Sequence, residues 1–293
     1  MTWLLLAFTS AALLGFYDVC KKQALRGNDV VPVLFLNTLF CSLFFLPVAL
    51  RSDVPFGGWE VQRYIVLKSV IVLSSWFCGY CGMKHLPLTL VGPINATRPV
   101  MVLLGALLFF GERLNTFQWI GVLLAILSFY MLSRSGKKEG IDFRHNRWIL
   151  FTVMASLLGA VRGLYDKYLM AAPAEGGVGL NRLTVQSYFN FYQCALMGVV
   201  WLCLREKRER KPLSSFVFIP LISVFLSLAD LAYFQALSIP GAMISVVSMV
   251  RRGSVIVSFL LGAFVFRERN LRSKALDLLL VLFGMLFLYL GSK

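Results

Sequence analysis

Uniformly apolar stretches of about 20 residues recur along this 293-residue chain, separated by short polar or Pro/Gly punctuation. That pattern restricts the fold more than any motif does. A stretch such as VVPVLFLNTLFCSLFFLPVAL (30–50) has the length and polarity of a helix crossing hydrocarbon. A membrane strand would need only about 10 residues, alternating in polarity. Helical spans are expected at 3–22, 30–50, 64–83, 87–110, 115–133, 148–170, 184–204, 216–237, 240–264 and 273–291. Hydrophobic residues make up 58% of the chain and charged ones 15%, with a mean hydropathy of +0.76, against about 45–50% and about 25% in soluble domains. No sizeable soluble domain fits between the spans, which argues against a secreted or cytosolic enzyme. The first 20 residues lack the basic region of a signal peptide and read as the first span. The expected class is an all-α integral membrane protein of ten transmembrane helices, multi-pass in the plasma (inner) membrane.

The chain repeats itself. Tyr80 and Tyr233, Pro87 and Pro240, and Arg98 and Arg251 are each 153 residues apart, and Glu112 and Glu268 are 156 apart in LLFFGER and AFVFRER. Residues 1–133 form a first five-helix repeat, 134–147 a polar linker, and 148–293 a second five-helix repeat. An odd number of spans per repeat makes the second enter the membrane inverted, and inverted repeats place a solute site near the midplane between the halves. The net charge of +15 and pI near 9.8 belong mainly to the odd-numbered loops. They call for no nucleic acid, and the positive-inside rule puts those loops in the cytoplasm and both termini outside.

Ionisable residues within a span cost about 2.5–3.5 kcal/mol each on insertion scales and point to function. Arg98, Arg162, Asp230, Arg251 and Arg252 are too deep to reach headgroups. Lys21, Lys22, Lys68 and Lys167 stand near span ends, where a long side chain can snorkel. Asp166 follows Arg162 by four residues, the spacing of a pair on one helical face. Arg98, Arg251 and Arg252 occupy equivalent points of the repeats with no acid nearby in sequence, and a guanidinium suits carboxylate or phosphate. The rival for each is a structural partner such as Asp230 or a backbone carbonyl. Pro93 and Pro99 bracket Asn95 and Arg98, and Gly253 follows Arg252, so the helices are expected to loosen beside these cations. Tyr17, Tyr80, Tyr165, Tyr233 and Trp76 are candidates for an organic moiety or for interfacial belts. Gly159-x-x-x-Gly163 reads as helix packing, Glu112 and Glu268 as interface anchors. Cys78-x-x-Cys81 sits within a span and reads as packing. His85 and His145 stand beside loops without an acidic cluster.

Two copies of Tyr-x6-Pro, each followed by Gly-Glu-Arg (111–113) or Arg-Glu-Arg (267–269), resemble the drug/metabolite transporter superfamily, EamA type, over essentially the whole chain. The resemblance implies a ten-helix basket with a central cavity and alternating access, and it implies cytoplasmic termini, opposite to the loop count. The pair Arg251-Arg252 is similar to a basic pair in the ninth helix of organophosphate-exchanging relatives. The chain is therefore expected to carry a small organic anion, phosphorylated solutes among the candidates, by secondary transport. Arg98, Arg251, Arg252, Asn95, Tyr80, Tyr233 and Arg162 would bind it, and Asp230, Asp18 and Asp166 would couple ions or pair. The alternatives are export of an amino acid or other zwitterion, and a flippase for anionic lipids. No cofactor, metal or nucleic acid is expected, only a small-molecule solute and the bilayer; no oligomer is predicted.

Overall fold

The computed structural model describes residues 2–51, 54, 56–98, 100–101, 115–137, 145–170, 173, 177–205, 216–238, 250–266 and 271–291. Among these, ten helices follow one another: α1 (Thr2–Ala24), α2 (Val30–Ala49), α3 (Gly58–His85), α4 (Leu88–Ala96), α5 (Thr116–Lys137), α6 (Arg147–Met170), α7 (Arg182–Arg205), α8 (Phe218–Ser238), α9 (Ser254–Phe266) and α10 (Leu271–Leu290). Five of them, over Trp3–Ala24, Val30–Ala49, Gly58–His85, Arg147–Asp166 and Leu183–Leu204, are long and apolar enough to cross a membrane. The spans expected at 87–110 and 240–264 are described only in part, and Glu112, Glu268 and Pro99 lie outside the described residues.

The distribution of polarity fits lipid rather than water. Leu5, Leu123, Val265 and Phe264 are exposed, Phe264 by 80%, whereas Asn37, Gln62, Ser69 and Lys68 are buried. A water-soluble bundle would invert this, since large exposed apolar patches mark surfaces that meet something other than water. Aromatic pairs join distant parts of the chain nearer its surface: Phe16 stacks on Phe225 at 5.7 Å and Phe35 on Trp201 at 5.1 Å.

Packing joins the first five helices to the last five. α1 lies along α8 and α9, α3 along α6 and α7, α2 along α7 and α8, α4 on α9 and α6, and α5 on α10. Exchanging each helix for the one five places away turns α1–α8 into α6–α3, α2–α8 into α7–α3 and α1–α9 into α6–α4. The pairs α2–α7, α4–α9 and α5–α10 map onto themselves. Small residues permit these approaches. A Cβ on Gly82 of α3 would collide with Thr152 Oγ1 of α6, and one on Gly15 of α1 with Val257 of α9.

The expected loosening beside the arginines is present. α4 stops at Ala96, Thr97 turns in the αR region, and its hydroxyl donates to the Ile94 carbonyl at 2.7 Å. Pro93 inside α4 has no N–H to offer the preceding turn. In the second half, Gly253 forms a turn, its N–H bonded to the Val250 carbonyl at 2.9 Å, so Arg251 and Arg252 precede α9 proper.

Candidate functional site

The helix breaks lie beside a cavity between α1, α3, α4 and the start of α9. It contains about 360 Å³ of empty space counted to its mouth, and its lining includes Asp18, Asn95, Arg252 and Ser254, with Val91 and Val255 as apolar wall. A Cβ on Gly92 would come within 2.8 Å of Val255, so glycine there lets α4 approach α9 at the cavity wall.

Arg98 and Arg252 set the electrostatics. Arg98 donates from Nη2 to Asn95 Oδ1 at 3.4 Å, and Ser156 Oγ donates to the same oxygen at 2.9 Å. Arg98 Nε has no hydrogen-bond partner among the described residues. Arg252 makes no salt bridge among the described residues and stands within electrostatic reach of Arg98, Arg251 and Arg162. Arg98 is in turn within reach of Arg162 and Asp18. The cations expected to converge are brought together.

Three carboxylates neutralise part of this charge. Arg251 pairs with Asp230 and lies over the Tyr233 ring, 4.3 Å from its centre, so the rival reading of Arg251 as a structural partner of Asp230 describes its contacts. Asp166 takes Arg162 Nε at 3.4 Å, as the four-residue spacing implied, and also Lys68 Nζ at 2.8 Å. Asp18 meets Lys21 Nζ at 3.3 Å. Arg98 and Arg252 have no acid of their own among the described residues.

Several expectations are corrected. Lys68 does not snorkel: it is 2% exposed, paired with Asp166 and set over the Phe189 ring at 4.9 Å, because its helix begins at Gly58 and carries it a further two turns into the bundle. Lys21 is buried and donates to the Tyr17 hydroxyl at 3.3 Å. Lys22 donates to the Met83 and Leu86 carbonyls at 2.6 and 2.5 Å, serving the C-terminus of α3. Gly159 packs against a side chain rather than a helix backbone; a Cβ there would sit 2.5 Å from Arg98 Cζ, and Gly163 is exposed.

The aromatic residues stand around the cavity without lining it. Tyr80 is 1% exposed, with Lys21 Nζ 5.1 Å from its ring centre. Tyr17 packs against the same ammonium, Tyr165 donates to the Tyr64 carbonyl at 3.2 Å, and Trp76 fills the core between clusters. The Lys167 side chain lies outside what is described. His85 stacks on Trp148 at 3.5 Å, and Cys78 and Cys81 are free thiols.

One signal for the ion pairs was present in the sequence and unused. Gly15-Phe-Tyr-Asp18 on α1 and Gly163-Leu-Tyr-Asp166 on α6 are a third repeated motif, 148 residues apart. It places Asp18 and Asp166, the partners of Lys21 and Lys68, at matching points of the two halves.

The model of the EamA-like transporter family matches residues 1–134. The Probable 4-amino-4-deoxy-L-arabinose-phosphoundecaprenol flippase subunit ArnE of Pectobacterium atrosepticum is 34% identical over 87 residues, which are 30% of this chain and 72% of that protein. An uncharacterized transporter of Archaeoglobus fulgidus is 27% identical over 142 residues, covering 47% of this chain and 50% of its own. One of Pseudomonas aeruginosa is 30% identical over 128 residues, covering 41% and 43%. The chain thus spans about half the length of these two relatives. A protein of known crystal structure superposes with a TM-score of 0.64 over 97% of this chain and 94% of its own, at 14% identity, and so shares the fold.

Proposed function

This chain is a multi-pass membrane protein of the EamA-like transporter family, within the drug/metabolite transporter superfamily, and on that premise we propose that it carries a small organic anion through the cavity beside Arg252 by alternating access. The observation that carries this reading is the lining of that cavity by a guanidinium that makes no salt bridge among the described residues. A half-buried cation without a counter-charge is costly within a membrane, and an anionic solute supplies one on binding. Arg98, held by Asn95 against the flat surface that Gly159 leaves open, adds a second positive charge within reach.

Alternating access needs two units that rock about the site. The exchange of helix pairs between the first and last five helices supports two repeats, 1–133 and 148–293, arranged in inverted fashion. With no ATP-binding motif in the sequence, a gradient or an exchanged solute drives the cycle. The likeness to ArnE, a protein named for moving a lipid-linked sugar phosphate, favours phosphate among anions. A second reading, a zwitterion, draws on Asp18, which lines the same cavity opposite in charge to Arg252.

Reconstitution in liposomes with labelled organic phosphates, carboxylates and amino acids tests this. Uptake of a phosphate ester or carboxylate that is lost in Arg252→Ala is expected. Uptake of amino acids alone, lost in Asp18→Asn, would give the cavity to the zwitterion instead. Anion uptake unchanged in both Arg98→Ala and Arg252→Ala would overturn the assignment.

A further inference from the structure

The charge that acts on the cavity comes from more than its lining. Arg252 lines it beside Asn95 and Ser254, and Arg98, Arg251 and Arg162 stand within electrostatic reach of Arg252. Arg162 follows Gly159 by three residues on α6, one helical turn from the spot where the Arg98 guanidinium rests. The acids do not balance this group. Asp18 answers Lys21 and Asp230 answers Arg251, but Asp166 is shared by Lys68 and Arg162. Arg98 and Arg252 have no acid of their own among the described residues. Three positive charges are left over among these residues, with Lys22 set aside because two carbonyls hold it. The stretches 99–111 and 239–250, which adjoin Arg98 and Arg251 in sequence, contain no acid.

Moving an ion out of water costs in proportion to the square of its charge, whereas its gain in a fixed field grows only in proportion to the charge. One unbalanced guanidinium therefore favours a singly charged solute. Three unbalanced charges in one bundle raise the field enough for a doubly charged solute to recover its larger desolvation cost. A singly charged solute would leave two of the three unanswered, each costly within the membrane. The lining also supplies donors. Asn95 Oδ1 accepts from Arg98 and Ser156, which fixes the amide and leaves its NH2 group to donate, and Ser254 adds a hydroxyl.

We propose that the solute of this cavity carries two negative charges on one compact oxyanion, a phosphate monoester in its dianionic form. It rests against Arg252, Asn95 and Ser254, and Arg98 and Arg162 add their field from outside the lining. This narrows the anion reading above and rests on it. A phosphate monoester loses its second proton near about pH 6, so it is the dianion in neutral solution. Its three terminal oxygens meet a guanidinium, an amide and a hydroxyl. Monocarboxylates, sulfate esters and phosphodiesters carry a single charge and are disfavoured.

Methyl phosphate and methyl sulfate, nearly equal in size and shape, are the probes. Each is titrated by calorimetry against the purified full chain in mildly alkaline buffer, where the first carries two charges and the second one. Methyl phosphate is expected to bind about tenfold or more tighter than methyl sulfate. Arg98→Gln removes one charge outside the lining and is expected to narrow that ratio about threefold or more. Arg162→Gln, which leaves Asp166 to Lys68, repeats the test at a site where the remaining pair holds the fold. Asp18→Asn adds one charge to the surplus and is expected to widen the ratio. A loosened fold would weaken both probes alike and leave the ratio where it was. Equal binding of the two probes, or a ratio unmoved in all three variants, overturns the double charge and leaves the anion reading standing. Failure of both probes to bind overturns the anion reading, and the double charge with it.

Discussion

Lys68 and Asp166 show how single residues are held in this interior. The ammonium is 3% exposed and the carboxylate 25% at the side chain, and removing one partner of such a buried pair costs about 3–5 kcal/mol. Asp166→Asn is therefore expected to lower the thermal midpoint in detergent sharply, and Lys68→Met on top of it to recover most of the loss. A midpoint unmoved by Asp166→Asn would mean that the pair is solvated. Gly159 is a second residue-scale case. Gly159→Ala places a methyl where the Arg98 guanidinium lies, so anion affinity is expected to fall about tenfold with little change in stability, because the displaced side chain loses its orientation. Isothermal titration with sulfate beside a melting curve separates the two effects.

At the scale of helices, close approach depends on glycine. Overpacking typically costs about 1–3 kcal/mol, and Gly82→Ala is expected to do so by pushing α3 from α6, with Thr152→Ala restoring the midpoint by removing the oxygen that is struck. Helix number and position were legible from apolar runs, since lipid leaves the backbone no alternative to bonding within the segment. The breaks at Thr97 and Gly253 were legible too, because proline and glycine announce them. The depth of Lys68 was not: α3 begins at Gly58, upstream of the apolar run from 64, and Gly57 at φ +72° sets that start. Nor was the burial of Asn37, Gln186 and Gln193. Isolated amides in long apolar runs carry no local pattern, and only helix packing buries them.

For the molecule as a whole, the exchange of helix pairs predicts matched contacts in the two halves. Ser10 Oγ of α1 donates to the Ala229 carbonyl of α8 at 2.7 Å, and Ser75 Oγ of α3 to the Ala155 carbonyl of α6 at 2.8 Å. Cysteine pairs at 10 and 229 and at 75 and 155 are both expected to cross-link under mild oxidation in membranes, read as a mobility shift. Cross-linking of one pair only would contradict equivalent packing. The repeated Tyr-x6-Pro motif is what the sequence offers for such a relation, whereas the acid partners of Lys21, Lys68 and Arg251 come from three different helices and carry no local pattern. The central claim is that Arg252 presents uncompensated positive charge to the cavity. Titration of a phosphate ester against the native chain and Arg252→Met measures this most directly: saturable binding, weakened about tenfold or more in the variant, is predicted, and equal binding by both proteins would contradict it.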